Sequence, residues 1–259
     1  MTIARLSQGH LNLLDTCPRK FQHIYLDQLA SPLDPEQQER LAWGSQFHLL
    51  MQQREMGLPL ESILAENDRY ANAIASLVRA VPEIAAPSPD SQREAEHYRS
   101  FAFEDYTLSV IYDLLVTHPN SAHILDWKTY RKPLDSHKIQ ANWQTRLYLF
   151  VLVETSNYTP EQLSMTYWFV QGSPECATIP YSRQKHERTR SQLQSLLNQL
   201  NANLERYYSA GIPFPQVPET KGECEYCTFN RRCQRSRTDN PSLALDWQTL
   251  IEEIEEVAL

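Results

Sequence analysis

The sequence predicts an α/β fold: a mixed central sheet flanked by helices, with a helical N-terminal elaboration. Three observations carry this. Most of the first eighty residues keep helical spacing. Between residues 94 and 130 come three short runs rich in β-branched and aromatic residues, separated by turn residues. A helical segment, two more such runs and a long helical stretch then follow, so helices and strands alternate in one layered architecture.

Taken in order, Leu11, Leu14, Phe21 and Tyr25 can share a helix face after Ser7, a residue suited to an N-cap. Pro18 falls inside that pattern and should break or kink it. Residues 36–57 and 60–80 read as two further helices, and 81–91 as a proline-rich connection. "EAEHYRSFAF", "YTLSVIYDLLV" and "AHILDWKTY" read as consecutive strands of a meander. Residues 136–155 return to helical spacing through Ile139, Trp143, Leu147 and Phe150. "LSMTYWFV" and "CATIPY" are two more strands. The stretch from Ser182 is a long helix closed by Gly211. A cysteine-bearing loop and an acidic segment end the chain.

The 259 residues, 41% of them hydrophobic, suffice for a sizeable core. The longest strongly apolar run, Leu147–Val153, is too short to span a bilayer. No signal peptide is recognisable, and the expected location is the cytoplasm, with no membrane partner. A formal net charge of −8 argues against broad, non-specific nucleic-acid binding but leaves room for a local basic groove. From Tyr226 to Arg237 stand Arg231, Arg232, Arg235 and Arg237, with no acid among them. Five cysteines, an odd number, do not suggest a disulfide framework. Cys224, Cys227 and Cys233 crowd together at C-x2-C-x5-C spacing, which favours a metal centre whose fourth ligand lies elsewhere.

The chemistry-bearing residues begin with "ILDWKTY". Asp126 and Lys128, two apart on a strand, point to one face. There a carboxylate can hold a divalent cation while the ammonium positions water and offsets phosphate charge. Asp113 lies among Val, Ile and Leu on the preceding strand, where a carboxylate is costly to bury unless paired or metal-bound. Two such carboxylates on adjacent strands could share Mg2+ or Mn2+. His48 follows Gly44 by one helical turn, and Gln144 and Tyr148 share a face of a later helix, with groups that can hydrogen-bond or stack on a nucleotide.

In this order G-x3-H, a strand Asp, D-x-K and Q-x3-Y resemble the PD-(D/E)XK nuclease superfamily. More narrowly they resemble its RecB-like iron–sulfur branch, which includes the AddAB and RecBCD nuclease domains and the CRISPR-associated adaptation exonucleases. The resemblance covers roughly residues 5–236. It implies a restriction-endonuclease-like fold with a C-terminal Cys-cluster loop. It also implies one nuclease domain over 1–239: a helical part (1–90), a catalytic core (91–210) and a cluster loop (211–239). Residues 240–259 would form an acidic amphipathic tail. Where the family often has Gly three residues before its first strand Asp, this sequence has Val110.

By the same resemblance His48, Asp113, Asp126 and the Trp127 carbonyl would hold Mg2+ or Mn2+, and Lys128 would be the catalytic lysine. Gln144 and Tyr148 would contact DNA, and Arg19, Lys20, Arg131, Lys132 and the Arg231–Arg237 cluster could line a strand path. Cys17 would join Cys224, Cys227 and Cys233 around a structural 4Fe–4S cluster, with structural Zn2+ as the alternative. Cys176, the competing cysteine, reads as a small apolar strand residue. The implied activity is metal-dependent DNA exonuclease action on single-stranded ends, in DNA repair, recombination or CRISPR adaptation. The alternative is a non-catalytic or partner-dependent DNA-binding subunit of a helicase–nuclease or integration complex. Trp247, Leu250, Ile254 and Val257 form an apolar face in the tail through which a protein partner could bind.

Overall fold

The computed structural model describes residues 4–29, 34–85, 88–130 and 136–235. Arg131, Lys132, Arg237 and the 240–259 tail lie outside the described residues.

The N-terminal helices follow their punctuation. Ser7 is extended ahead of α1 (Gln8–Thr16), which stops at an extended Cys17 because Pro18 brings no amide hydrogen to continue the ladder. Pro18 instead opens α2 (Pro18–Phe21), which runs into a π-helical turn, Gln22–Leu26. The Asp34 side chain accepts from the Gln37 amide at 2.8 Å and starts α3 (Pro35–Glu55).

Two expected helices are each broken by an asparagine. Residues 60–80 form α4 (Glu61–Ala65) and α5 (Asp68–Ala80), because Asn67 turns extended and its side chain caps Arg69 and Tyr70. The 81–91 connection contains a further short helix, α6 (Pro82–Ala85). Residues 136–155 divide into α7 (Ser136–Ala141) and α8 (Trp143–Glu154), because the Asn142 side chain accepts from the Gln144 amide at 2.7 Å. In both cases the side-chain amide offers the backbone an alternative to the helix ladder.

Six strands form one mixed sheet. β1 (Arg5–Leu6) is too short to show a period in sequence. β2 (Gln92–Phe103), β3 (Tyr106–His118) and β4 (Ser121–Lys128) are the expected antiparallel meander. β5 (Leu163–Phe169) lies parallel to β4 after the α7–α8 crossover, and β6 (Glu175–Pro180) closes the edge antiparallel to it. β2 covers one edge of β3. β1 pairs with Thr107 and Leu108 on the other edge, and β4 pairs there only from Leu114 to His118. The stretch 109–113 therefore faces an opening between β1 and β4.

One sheet face packs on α1, α8 and α9 (Arg183–Ala210) around Tyr112, Ile124, Phe150, Met165 and Leu197. The other packs on α3, α5 and α6 around Phe47, Leu77, Leu114, Leu125 and Trp127. Gly211, at φ +64°, ends α9 in the left-handed conformation that glycine adopts without a Cβ penalty. Cys176 departs from its expected role: it is exposed on β6, an edge strand, and packs into no core.

Candidate active site and cysteine centre

The sheet is irregular at Asp113. Its β2 ladder includes Ala95↔Leu114 and His97↔Tyr112 but omits the pair between them, Glu96 and Asp113. Its β4 ladder stops at Leu114↔Leu125, one step short of Asp113 and Asp126. Side-chain alternation slips here too, since Tyr112 and Leu115, three apart, both face the larger core. Glu96 sits at φ +48°, which costs a non-glycine residue about 1–2 kcal/mol and clusters at functional sites.

This irregularity gathers ligands. Asp113 Oδ2 accepts from the Trp127 amide at 2.6 Å, in place of a backbone ladder bond. Asp113 Oδ1 lies 3.4 Å from His48 Nδ1, which α3 brings from the far side of the sheet. The ligand atoms of His48, Glu96 and Asp113 lie within 4.8 Å of one another, a donor set of one imidazole and two carboxylates that could hold a divalent cation.

Asp126 and Lys128 share a face, as their spacing requires, with Lys128 Nζ 3.0 Å from Asp126 Oδ2. Both are buried, at 1% and 6% exposure, so removing either partner would strand the other's charge. Asp126 Oδ1 accepts from Gln144 Nε2 at 2.8 Å. Lys128 Nζ also lies 5.5 Å from the centroid of the Tyr167 ring. Asp126 is not one of the close three, so the carboxylates divide: Asp113 sits with His48 and Glu96, and Asp126 with Lys128 and Gln144. The Trp127 peptide joins the two groups through its bond to Asp113.

Q-x3-Y takes a different place from the one expected. Gln144 is engaged with Asp126, and Tyr148 is 4% exposed, so its ring has no face open to stack on a base. Burial, then the Asp126 and Asp113 charges, push the Tyr148 phenol well above its ordinary pKa, so it stays protonated beside both carboxylates. Its backbone carbonyl accepts from the Tyr112 hydroxyl at 3.1 Å, fixing α8 on β3.

Glu96 is the residue that sequence reasoning missed. "EAEHY" carries two acids at period two, and alternation alone assigns both to the solvent face. Gln92, Glu94, Tyr98 and Ser100 are indeed exposed, whereas Glu96 is half-buried. The positive φ that turns it inward leaves no mark in composition.

At the other end of the molecule, Cys17, Cys224, Cys227 and Cys233 line one cavity together with Lys20 and Phe229. Successive turns carry the trio: the Cys227 amide donates to the Cys224 carbonyl at 3.3 Å and the Cys233 amide to the Phe229 carbonyl at 2.9 Å. Burial pushes the Cys224 and Cys233 thiols up, so they lose their protons readily only to a metal or a base. Cys176 is not among the residues that line this cavity.

The basic residues differ in how far they are committed. Arg19 Nε donates to the Phe214 carbonyl at 2.6 Å and ties α2 to the segment after α9. Arg235 bonds Gln216 and Glu219, and Arg231 and Arg232 are exposed.

Among the described residues no helix is long and apolar enough to cross a membrane. Among curated proteins none matches the chain. A solved structure described as a candidate exonuclease from Eubacterium rectale is similar at TM-score 0.55 and 12% identity, over 96% of this chain and 94% of that one. At that identity the likeness shows the fold alone. The solved protein SSO0001 aligns at TM-score 0.43 and 14% identity over 92% and 89%, too distant to carry an argument. The sequence itself matches the PD-(D/E)XK nuclease superfamily over residues 5–234, nearly its whole length, and the chain belongs to that superfamily.

Proposed function

We propose that the protein is a metal-dependent DNA exonuclease of the RecB-like branch, acting on single-stranded ends, with a structural 4Fe–4S cluster. The observation that carries the catalytic reading is the convergence at the sheet opening: His48, Glu96 and Asp113 on one side, and the Asp126–Lys128 pair on the other. The candidate exonuclease of the same fold supports it.

Bound Mg2+ or Mn2+ supplies Lewis acidity at the phosphate and lowers the pKa of its water. His48, Glu96 and Asp113 would hold that ion, and by the family resemblance Asp126 and the Trp127 carbonyl would join them, Asp126 giving up part of its contact with Lys128 or Gln144 to do so. Lys128, fixed beside Asp126, orients the attacking water and offsets the charge that develops on phosphate. Gln144 holds the Asp126 carboxylate in place, and the protonated Tyr148 lies behind both carboxylates. Arg231 and Arg232 offer exposed charge to the strand, while Arg19 serves the fold.

The resemblance to the RecB-like branch favours a cluster over zinc, and the four cysteines it names line one cavity, where each could bind its own iron.

The test is digestion of end-labelled single- and double-stranded DNA by anaerobically purified protein, with Mg2+, Mn2+ or EDTA. Metal-dependent shortening from an end, abolished in Lys128→Gln with the fold retained, is expected. No cutting by folded, iron-loaded protein overturns the catalytic reading in favour of a partner-dependent subunit. Elemental analysis decides iron against zinc separately.

A further inference from the structure

We propose that His23 donates a hydrogen bond to Cys233 and thereby sets the reduction potential of the cysteine centre and its hold on metal; this rests on reading those four cysteines as a metal centre.

His23 is 4% exposed and sits on the π-helical turn Gln22–Leu26, a local distortion of the kind found at functional sites. Its Nε2 lies 3.7 Å from Cys233 Sγ. Its Nδ1 lies 2.9 Å from Asp27 Oδ2. Phe229, the residue that the Cys233 amide bonds, packs against the imidazole with ring centroids 5.0 Å apart.

The carboxylate is itself held. Asp27 accepts from the Tyr207 hydroxyl at 2.9 Å and from Gln22 Nε2 at 3.2 Å. Gln22 Oε1 in turn accepts from the Phe214 amide at 2.8 Å. This polar chain runs from α9 through the apolar end of the molecule to one cysteine sulfur. Such a chain is costly to bury unless every member is satisfied.

With Nδ1 on a carboxylate and Nε2 on a sulfur, the ring donates to both once Cys233 is a thiolate, as an imidazolium whose charge the carboxylate and the thiolate offset. A donor to a metal-bound thiolate withdraws charge from it. In an iron–sulfur cluster that favours the more negative, reduced state and raises the potential. Outer-shell partners of this kind also hold the first ligand in its orientation.

The experiment compares anaerobically purified full-length wild type with His23→Leu, His23→Gln and Asp27→Asn. Iron and zinc content, midpoint potential by redox titration and the rate of metal loss to a chelator are the readouts. Circular dichroism checks folding. His23→Leu is expected to bind metal but to lose it about 10-fold faster and to titrate at a lower potential. His23→Gln, which keeps an amide donor, should fall between Leu and wild type. His23→Leu with the wild-type potential and release rate overturns the proposal.

Zinc in place of iron in the wild type would sink the cluster reading alone. Zinc release from His23→Leu then decides the role of His23 in the same way. A folded wild type that binds neither metal overturns both.

Discussion

Asp113 and Trp127 meet across neighbouring strands only 14 residues apart in the chain, whereas His23 reaches Cys233 across 210. The three carboxylates and the lysine of the first site come from one meander, closed by short turns, to which α3 adds His48 and α8 adds Gln144. The cysteine site joins the first helices to the last loop and forms only when the chain between them has folded. Loop-closure entropy grows slowly with length, but a contact of that span needs strong bonds to persist. Metal–thiolate bonds can supply them, and the surrounding polar chain of Gln22, His23 and Asp27 directs them. On the proposed function the two sites divide chemistry from closure, and substitutions should separate them.

The largest effect is expected at Lys128. Lys128→Gln should lower cutting by about 10³-fold, as loss of a preorganised charge at the reacting phosphate does, and leave iron content unchanged. Because it leaves Asp126 buried without its ion-pair partner, a melting curve should accompany the assay. Loss of iron together with activity would break the division between the sites.

Cys17→Ser tests the other side. It should strip the metal and lower stability by about 3–5 kcal/mol, the scale of releasing a long cross-linked loop. Limited proteolysis should then open residues 216–235 first, and protection unchanged after complete metal loss would show that the loop holds without it.

Glu96 sharpens the comparison within the active site. Glu96→Gln should weaken Mg2+ activation by about 10- to 100-fold, while Glu94→Gln, on the exposed face of the same strand, should not. Glu96→Gly should be equally impaired yet more stable by about 1 kcal/mol, because glycine adopts φ +48° without strain. A stability loss in Glu96→Gly would mean that the side chain serves the fold.

The smallest effect concerns Glu83 on α6. A hydrogen bond from His123, 2.9 Å away, holds its carboxyl below the ordinary carboxylate range, against a partial burial that pushes it up. A depressed folded pKa contributes stability that is present above the unfolded value and is lost as pH falls through the folded one. Wild type and Glu83→Gln should therefore differ by a few tenths of a kcal/mol at pH 7 and converge below about pH 4, as denaturation at several pH values will show.

Much of this was legible in the sequence. Strands at 92–128 follow from alternation and β-branched content, and the shared face of Asp126 and Lys128 follows from a period of two. Asn67 and Asn142 split helices that the apolar spacing joined, because capping competes with periodicity through one side chain. Tyr148 has the spacing of a surface contact, but α8 buries residues nearly all around its circumference, so spacing could not say which way it faced. Glu96 was invisible because its inward turn depends on a dihedral that no period encodes.

By itself, then, the sequence determined the order of elements, the strand pair that carries the carboxylates and the lysine, and the crowding of three cysteines. These depend on short-range periodicity and on residue chemistry, both written locally. Only the tertiary structure decided that Glu96 joins His48 and Asp113, that Gln144 serves Asp126, and that Cys17 lines the cavity with His23 behind its wall. Those are matters of where distant segments come to rest. That is set by the packing of both sheet faces and by the irregular ladder at Asp113.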